Sequence, residues 1–408
     1  MKALVFNSAA RSASVKDVPR PVPGSGEVLV RVHAVAINPV DQIHYAGPIA
    51  QQAERVMGTD FAGVVVERAE NLRSASSRDP RTVEGARVAG FVQGASSAND
   101  RPGAFAEYVA VPYDLLWTIP ETLSFEDAST ISMCGLTAAQ ALFPRFGLPS
   151  SFSSVGSSSS STSQPPHDDD AAAAAEEKDE SEPINVFVYG SSTSLGMFGA
   201  QLAHVAAAAS GRKLRLIGAA SASKHEALRA APYHYDVLVD YRAADWAERV
   251  RAATKGGRGV DYALDTISER DTVPKVHSTL APRGKYHVFR GPSGGQYDTA
   301  GLAIQPVYGA VWEGLGVEID YGEGLVFPAS PEARQFAADF FQFLSKGAET
   351  GDVKLHPNPV RKMPGGLERI VPDGFALLSG LVSERQGLER REEYMRPISG
   401  EKLVYTIA

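Results

Sequence analysis

The chain has 408 residues, 43% of them hydrophobic and 22% charged, with a formal net charge of −8. That balance belongs to an ordinary globular protein long enough for two compact domains, and the scattered basic residues leave no footprint for nucleic acid or an anionic membrane. A single cysteine excludes an internal disulfide framework and fits a reducing compartment.

The N-terminus, MKALVF, reads directly as a strand and lacks the apolar core and cleavage site of a secretory signal. No apolar run approaches the roughly 18 residues needed to span a bilayer. The expectation is a soluble, cytoplasmic protein. Residues 1 to about 120 read mainly as β-structure, since β-branched apolar runs (KALVF, EVLVRVHAVAI, FAGVVVE, ARVAGFV, AFAEYVAV) alternate with turn signals such as PVPGSG. A helix, DASTISMCGLTAAQALF, leads into the next region.

Between Pro149 and Pro183 the composition changes to serine, alanine and acid. Such a stretch carries too little apolar surface to offset its own ordering, and reads as a solvated insertion. An alanine-acid helix over residues 169–178 would be marginal alone. From about 184 the rhythm becomes alternating strand and helix: INVFVYG, KLRLIGA, DVLVDY, VDYALDTI and GKYHVF are the strands. Successive βα units predict a doubly wound parallel sheet, so the fold class is α/β. The C-terminal portion adds the helix PEARQFAADFFQFLSKG and ends in the strand-like GEKLVYTIA.

One stretch carries a chemical signal. VFVYGSSTSLGMFGAQLA, residues 186–203, is a strand, a glycine-bounded turn and a helix. Gripping a pyrophosphate requires close backbone approach and N–H donors at a helix N-terminus. Gly190 and Gly196 bracket the turn, while Ser192, Thr193 and Ser194 add hydroxyl donors around Leu195. The bare glycine spacing is equally compatible with a buried strand-turn-helix that binds nothing. Enzymes that prefer NAD place an acid at the end of the second strand, to accept from the ribose 2′-hydroxyl. Here that region reads LIGAASASKHE, with no acid between Leu214 and His225. Ser221, Ser223 and Lys224 offer donors and a cation instead, as a 2′-phosphate requires. NADPH is the expected cofactor.

Here the chain resembles the medium-chain dehydrogenase/reductase superfamily, in particular its zinc-free quinone-reductase and enoyl-reductase branches. The residues that carry the resemblance are the loop above, VAINPVD (35–41), MGTDFAGVVVE (57–67), GAFAEYVAVP (103–112), CGLTAAQALF (134–143), VLVDYR (237–242), VDYALDTIS (260–268) and SGEKLVYTI (399–407). The DYR, the insertion and YGEGLVFPASPEARQF (321–336) are most similar to fungal trans-acting enoyl reductases, stand-alone partners of polyketide synthases.

The resemblance implies a GroES-like β-rich catalytic domain over 1–130, a Rossmann NADPH-binding domain over 131–305 carrying the 149–183 insertion, and a segment, 306–408, completing the catalytic domain. It implies NADPH contacts at Thr193–Gly196, at Ser221, Ala222, Ser223, Lys224 and His225, at Tyr241, and near Gly400 and Lys402. Val40, Asp41, Gln42, Ile43 and Thr137 would lie near the nicotinamide end. Ala138, Ala139, Leu142, Ile319, Tyr321, Gly322 and Glu323 would face a substrate held in the cleft. The implied substrate is an enoyl acyl group, possibly carried by a polyketide synthase, and the chain would be a monomer or a homodimer.

Alcohol-dehydrogenase relatives polarise a carbonyl with zinc, which needs Cys, His or carboxylate ligands at set positions. No cysteine lies near NPVDQIH, and MGTD stands where a His-Glu pair would support metal. No metal is therefore expected, and Cys134 reads as a packing residue. Conjugate reduction suits such a scaffold, with hydride delivered to the β-carbon and a proton to the α-carbon. Related enoyl reductases carry a lysine at the place of Ile43. His44, Tyr45 and Tyr321 are the candidate proton donors, with Tyr286 a further one. Quinone or alkenal reduction on free small molecules, and a non-catalytic NADPH-binding partner protein, remain alternatives.

Overall fold

A computed structural model describes residues 1–47, 53–73, 79–94, 101–153, 182–321, 326–385 and 389–407. The expected 169–178 helix, Gly322 and Glu323 lie outside the described residues. The chain divides into two compact units, Met1–Thr137 with Ala310–Ala408, and Ala138–Gly309.

In the first unit, β1 (Lys2–Asn7), β2 (Ser12–Asp17), β3 (Glu27–Ala36), β4 (Glu54–Val56), β5 (Asp60–Arg68), β6 (Arg87–Phe91), β7 (Tyr108–Pro112) and β8 (Leu116–Thr118) come first in the chain. The second unit supplies β9 (Ile184–Tyr189), β10 (Leu214–Ala220), β11 (Val237–Asp240), β12 (Val260–Asp265) and β13 (Leu280–Val288). The chain then returns to the first unit with β14 (Ile319–Asp320), β15 (Val326–Phe327), β16 (Val360–Met363) and β17 (Lys402–Thr406).

Unit one is built on a seven-stranded sheet in the order β16-β17-β3-β5-β6-β8, with β7 also paired to β3, and a three-stranded sheet β2-β1-β4. The long β3 buries Val28, Val30, Val32 and Val35 against Phe61 and Val65 of β5. The C-terminal β17 pairs antiparallel with β3, placing Val404 beside Ala36. This pairing closes the unit across the length of the chain.

Unit two is a five-stranded sheet in the order β11-β10-β9-β12-β13, and every pairing in it is parallel. All six residues of β9 are buried, as a central strand covered on both faces requires. The chain steps from β9 to β10 and β11 on one side and to β12 and β13 on the other. The strand order therefore reverses beside β9, where open α/β sheets bind their ligands, at the carboxyl ends of the strands.

The run expected as one helix over residues 127–143 is interrupted. Helices cover Phe125–Ala128 and Ser132–Gln140, and a π-helical turn, Ala141–Arg145, contains Pro144. Between the two helices Ser129 and Thr130 turn their hydroxyls onto the carbonyls of Glu126 and Asp127, each at 2.8 Å, a local alternative to continuing the ladder. The wider π turn accommodates a proline that cannot donate an N–H.

Candidate dinucleotide site and buried polar hub

Unit two carries the nucleotide loop at the switch point. Gly190, directly after β9, has φ +78°, and a Cβ there would meet Thr266 Oγ1 at 2.4 Å. Gly196 has no room either: its Cβ would meet the Gly190 carbonyl at 2.4 Å and Ser191 Cα at 2.8 Å. Gly196 is thus demanded by close backbone approach, and Gly190 by its positive φ and the Thr266 and Ile267 side chains against it. Thr193 caps the Ser194–Ser210 helix, its Oγ1 accepting from Gly196 N at 3.0 Å and donating to Thr266 Oγ1 at 2.9 Å. Thr266 in turn donates to the Tyr189 carbonyl at 2.8 Å. With Gly196 capped, the first-turn amides of Ser194 and Leu195 have no intrahelical acceptor, as at any helix start. They provide, with the helix dipole, an anion cradle. Ser192, Thr193, Ser194 and Leu195 are all half-buried.

The end of β10 contains no acid, and Ser221 to His225 form a single turn into a short helix, His225–Arg229. Ser221, Lys224 and His225 are half-buried, Ala222 and Ser223 exposed. Two neighbours escaped the sequence reading. The parallel register sets Asp240 beside Ala220, and its carboxylate accepts from Ala222 N at 3.4 Å and Arg242 N at 3.0 Å. These backbone donors hold its pKa below the usual carboxylate value. Arg242 lies 4.6 Å over the exposed ring of Tyr241. The signal available was DYR itself, whose arginine adds a cation beside the tyrosine. Ala138, Ala139 and Leu142 are fully buried.

The other candidates belong to unit one. Val40 and Gln42 are half-buried on the Pro39–Ala46 helix, and Ile43 is 44% exposed. Thr137 donates to the Met133 carbonyl at 2.7 Å. Asp41 faces inward: its Oδ2 accepts from Asn38 N at 2.7 Å and from Thr59 Oγ1 at 3.2 Å. Its Oδ1 is buried without a partner, and burial raises its pKa to about 7. One turn on, His44 is also buried, and burial lowers its pKa to about 4. The imidazole is therefore neutral at pH 7. Tyr45 packs on Phe6 and Phe375, with ring centroids at 5.8 and 5.4 Å. Tyr321 is half-buried, edge-on to Phe327 at 5.7 Å, and Ile319 is buried in β14. Tyr286, in unit two, is buried and donates to Asp265 at 3.1 Å.

Lys402 is 4% exposed and follows a turn at Gly400, φ +82°. Its ammonium donates to Asn38 Oδ1 at 2.5 Å and to Cys134 Sγ at 3.2 Å, and stands 3.6 Å from Asp60. Asn38 Nδ2 donates to Asp60 at 2.8 Å and to Thr59 at 2.9 Å, and Met133 N donates to Asp60 at 2.9 Å. Burial opposes the charge on Lys402, but Cys134 and Asp60 overcome it and leave its pKa above that of an ordinary lysine. Burial pushes the Cys134 thiol up. Cys134 is thus more than a packing residue, since its sulfur closes a polar hub. Among the described residues no group of three or more His, Cys, Asp or Glu side chains could hold a metal ion, and no helix is long and apolar enough to cross a membrane.

Residues 24–121 match the alcohol dehydrogenase GroES-like domain family. The chain is 30% identical over 379 residues to the trans-enoyl reductase phm4 of Pyrenochaetopsis sp, covering 90% of each chain. Its fold is similar to that of the CurK enoyl reductase, with a TM-score of 0.64 and 16% identity over 100% of this chain and 99% of that one. It is likewise similar to a mycobacterial protein complexed with NADPH, with a TM-score of 0.62 and 20% identity over 100% and 99%. With a GroES-like unit completed from the C-terminus, a doubly wound nucleotide unit and this relationship, the chain belongs to the medium-chain dehydrogenase/reductase superfamily, among the fungal trans-enoyl reductases.

Proposed function

We propose that the protein reduces the activated C=C bond of an enoyl acyl substrate of polyketide type with NADPH. The observation that carries this reading is the make-up of unit one, where a lysine ammonium rather than a set of metal ligands is enclosed between Asn38, Asp60 and Cys134. A scaffold without a Lewis acid suits conjugate reduction, in which charge spreads to a carbonyl oxygen remote from the attacked carbon. The name of the relative phm4 supports the substrate class.

The residues of unit two fit a dinucleotide, because the tight turn from Gly190 leads into the N-terminus of the Ser194–Ser210 helix, whose first-turn amides have no intrahelical acceptor. The amides of Ser194 and Leu195 would hold the pyrophosphate, and Ser221, Ser223 and Lys224 the 2′-phosphate. The bound cofactor supplies the hydride. For the proton, His44 is neutral at pH 7 and enclosed, which leaves the half-buried phenols Tyr45 and Tyr321 as candidates for proton delivery. Tyr321→Phe should lower kcat with little change in the Kd for NADPH.

The test is a side-by-side assay of an α,β-unsaturated thioester, free and carrier-bound, against quinones. The thioester should consume NADPH stoichiometrically and give the saturated product. Turnover confined to quinones, or tight NADPH binding with no hydride transfer to any alkene, would overturn the assignment.

A further inference from the structure

Behind the nucleotide loop of unit two, at the carboxyl ends of β12 and β13, lies a buried network of polar groups centred on Asp265. This last residue of β12 is 0% exposed. Its Oδ1 accepts from the backbone N–H of Ile267 at 3.1 Å and of Ser268 at 2.7 Å. Its Oδ2 accepts from the Tyr286 hydroxyl of β13 at 3.1 Å and stands 3.2 Å from the Thr272 hydroxyl. A carboxylate withdrawn from water is tolerated only where such donors replace the solvent. Burial raises its pKa to about 6, against the pull of those donors.

The network continues into the loop after β13. Ser268 Oγ accepts from Phe289 N at 2.9 Å, the buried Glu269 pairs with Arg290 at 3.0 Å, and Arg270 N donates to the Gly295 carbonyl at 2.9 Å. Ser268, Arg270 and Gln296 have φ of +53°, +45° and +55°. Residues with a side chain rarely adopt this left-handed backbone, and they keep it where surrounding bonds over-determine it. Of the five such residues among those described, three lie in these two loops, so the strain gathers at the sheet edge that carries the nucleotide loop.

One residue joins the network to that loop. Thr266, between Asp265 and Ile267, donates its backbone N–H to the Tyr189 carbonyl at 3.1 Å. Its hydroxyl accepts from Thr193 at 2.9 Å and lies 2.8 Å from the Tyr189 carbonyl and 3.1 Å from that of Gly190. The same hydroxyl fills the space that a Cβ at Gly190 would need. Asp265 thus fixes the backbone beyond Thr266, and Thr266 fixes the turn and the cap of the Ser194–Ser210 helix. Near the other end of β12, Asp261 is a buried carboxylate of similar kind, accepting from Asn185 N at 2.9 Å and Nδ2 at 3.0 Å. Its bonds lead to the start of β9, a strand's length from the loop.

We infer that Asp265 is a positioning residue for the nucleotide loop, holding Thr193 and the Gly190 turn in place through Thr266. The effect on affinity rests on the reading of that loop as the dinucleotide site; the effect on the loop's shape does not.

Amide hydrogen exchange of the full-length protein without cofactor, followed by NADPH and NADH titrations, tests the inference. Asp265→Ala should speed exchange over residues 190–196 and weaken both nucleotides by a similar factor, roughly tenfold, because either one uses the same loop. Asp265→Asn, which keeps the volume and one acceptor, should fall between Asp265→Ala and the parent. Asp261→Ala should also lower the unfolding midpoint, but leave loop exchange and both affinities as in the parent. Unchanged loop exchange in Asp265→Ala, or equal losses in the Asp265 and Asp261 variants, overturns the inference. Should Asp265→Ala fail to fold, Thr266→Val and Thr266→Ser decide. The valine should reproduce the faster exchange while the serine, keeping the hydroxyl, stays near the parent; two variants alike in loop exchange overturn it. A parent that binds neither nucleotide would sink the dinucleotide reading, while the exchange measurement still decides the role of Asp265.

Discussion

The nucleotide loop of unit two and the polar hub of unit one solve opposite electrostatic problems. On the proposed reading the loop receives a charge it does not own. Its glycines allow a tight turn, its helix start presents amides with no intrahelical acceptor, and its serines Ser192 and Ser194 stay half-buried. The hub encloses the Lys402 ammonium, and the groups that face it, Asn38, Asp60 and Cys134, are themselves held by further bonds. One region suits the arriving anion proposed for it, the other holds a cation of the chain itself. Substitutions should separate the two: changes in the loop act on affinity, changes around the hub act on stability.

The largest effect is expected at Gly196. A side chain there runs into the Gly190 carbonyl and Ser191 Cα, and the neighbours are backbone that cannot swing away. Gly196→Val should abolish saturable NADPH binding in a fluorescence titration while circular dichroism still reports a folded sheet. If the variant binds NADPH like the parent, the loop is not the cofactor site.

Hub-side effects should appear in the pH dependence of stability. Asp41 has its pKa raised to about 7 by burial, so the folded state binds more protons than the unfolded between roughly pH 4 and 7, and stability falls as pH rises through that window. His44 has its pKa lowered to about 4 by burial, so its contribution is lost as pH falls below the ordinary histidine value and grows between roughly pH 4 and 6.5. In the parent the two slopes oppose each other. Urea unfolding of His44→Gln should show stability dropping more steeply from pH 4 to 7 than in the parent, and Asp41→Asn should tilt the curve the other way. Parallel curves for all three proteins would show that neither group titrates as its burial implies.

Smaller changes belong to the polar side chains of the loop region. Lys224→Ala should weaken NADPH by roughly 10- to 100-fold, matching the about 1.5–3 kcal/mol of a hydrogen bond to a charged group, and leave NADH affinity nearly unchanged. Equal losses for both cofactors would place Lys224 away from the 2′-phosphate. Thr193→Ala removes the helix cap seen in the structure, worth about 1 kcal/mol. It should weaken NADPH only several-fold by calorimetry, because the amides of Ser194 and Leu195 remain.

The contrast between the regions also explains what the sequence could reveal. The loop was legible because its constraints are local: two glycines six residues apart, a strand before and a helix after. The parallel sheet followed from repeated βα units for the same reason. Asp240 went unnoticed as a neighbour of the second-strand end because only the β10–β11 register, Ala220 beside Asp240, brings it there. The hub was less legible still. Lys402 and Asn38 are separated by 364 positions, and only the pairing of β17 with β3 makes them neighbours. The resemblance accordingly placed Lys402 with the cofactor contacts, whereas its ammonium is enclosed in unit one. The helix over residues 127–143 was read as continuous because apolar periodicity does not register the Ser129 and Thr130 side-chain bonds or the π turn at Pro144.

The proposed activity is an NADPH-specific enoyl reduction that needs no metal. It is tested most directly by kcat/KM of chelator-treated full-length protein on one α,β-unsaturated thioester, with NADPH and then with NADH. The account predicts that chelation leaves turnover intact and that NADPH is preferred by at least tenfold. Activity lost on chelation and restored by zinc, or equal use of NADH, would contradict it.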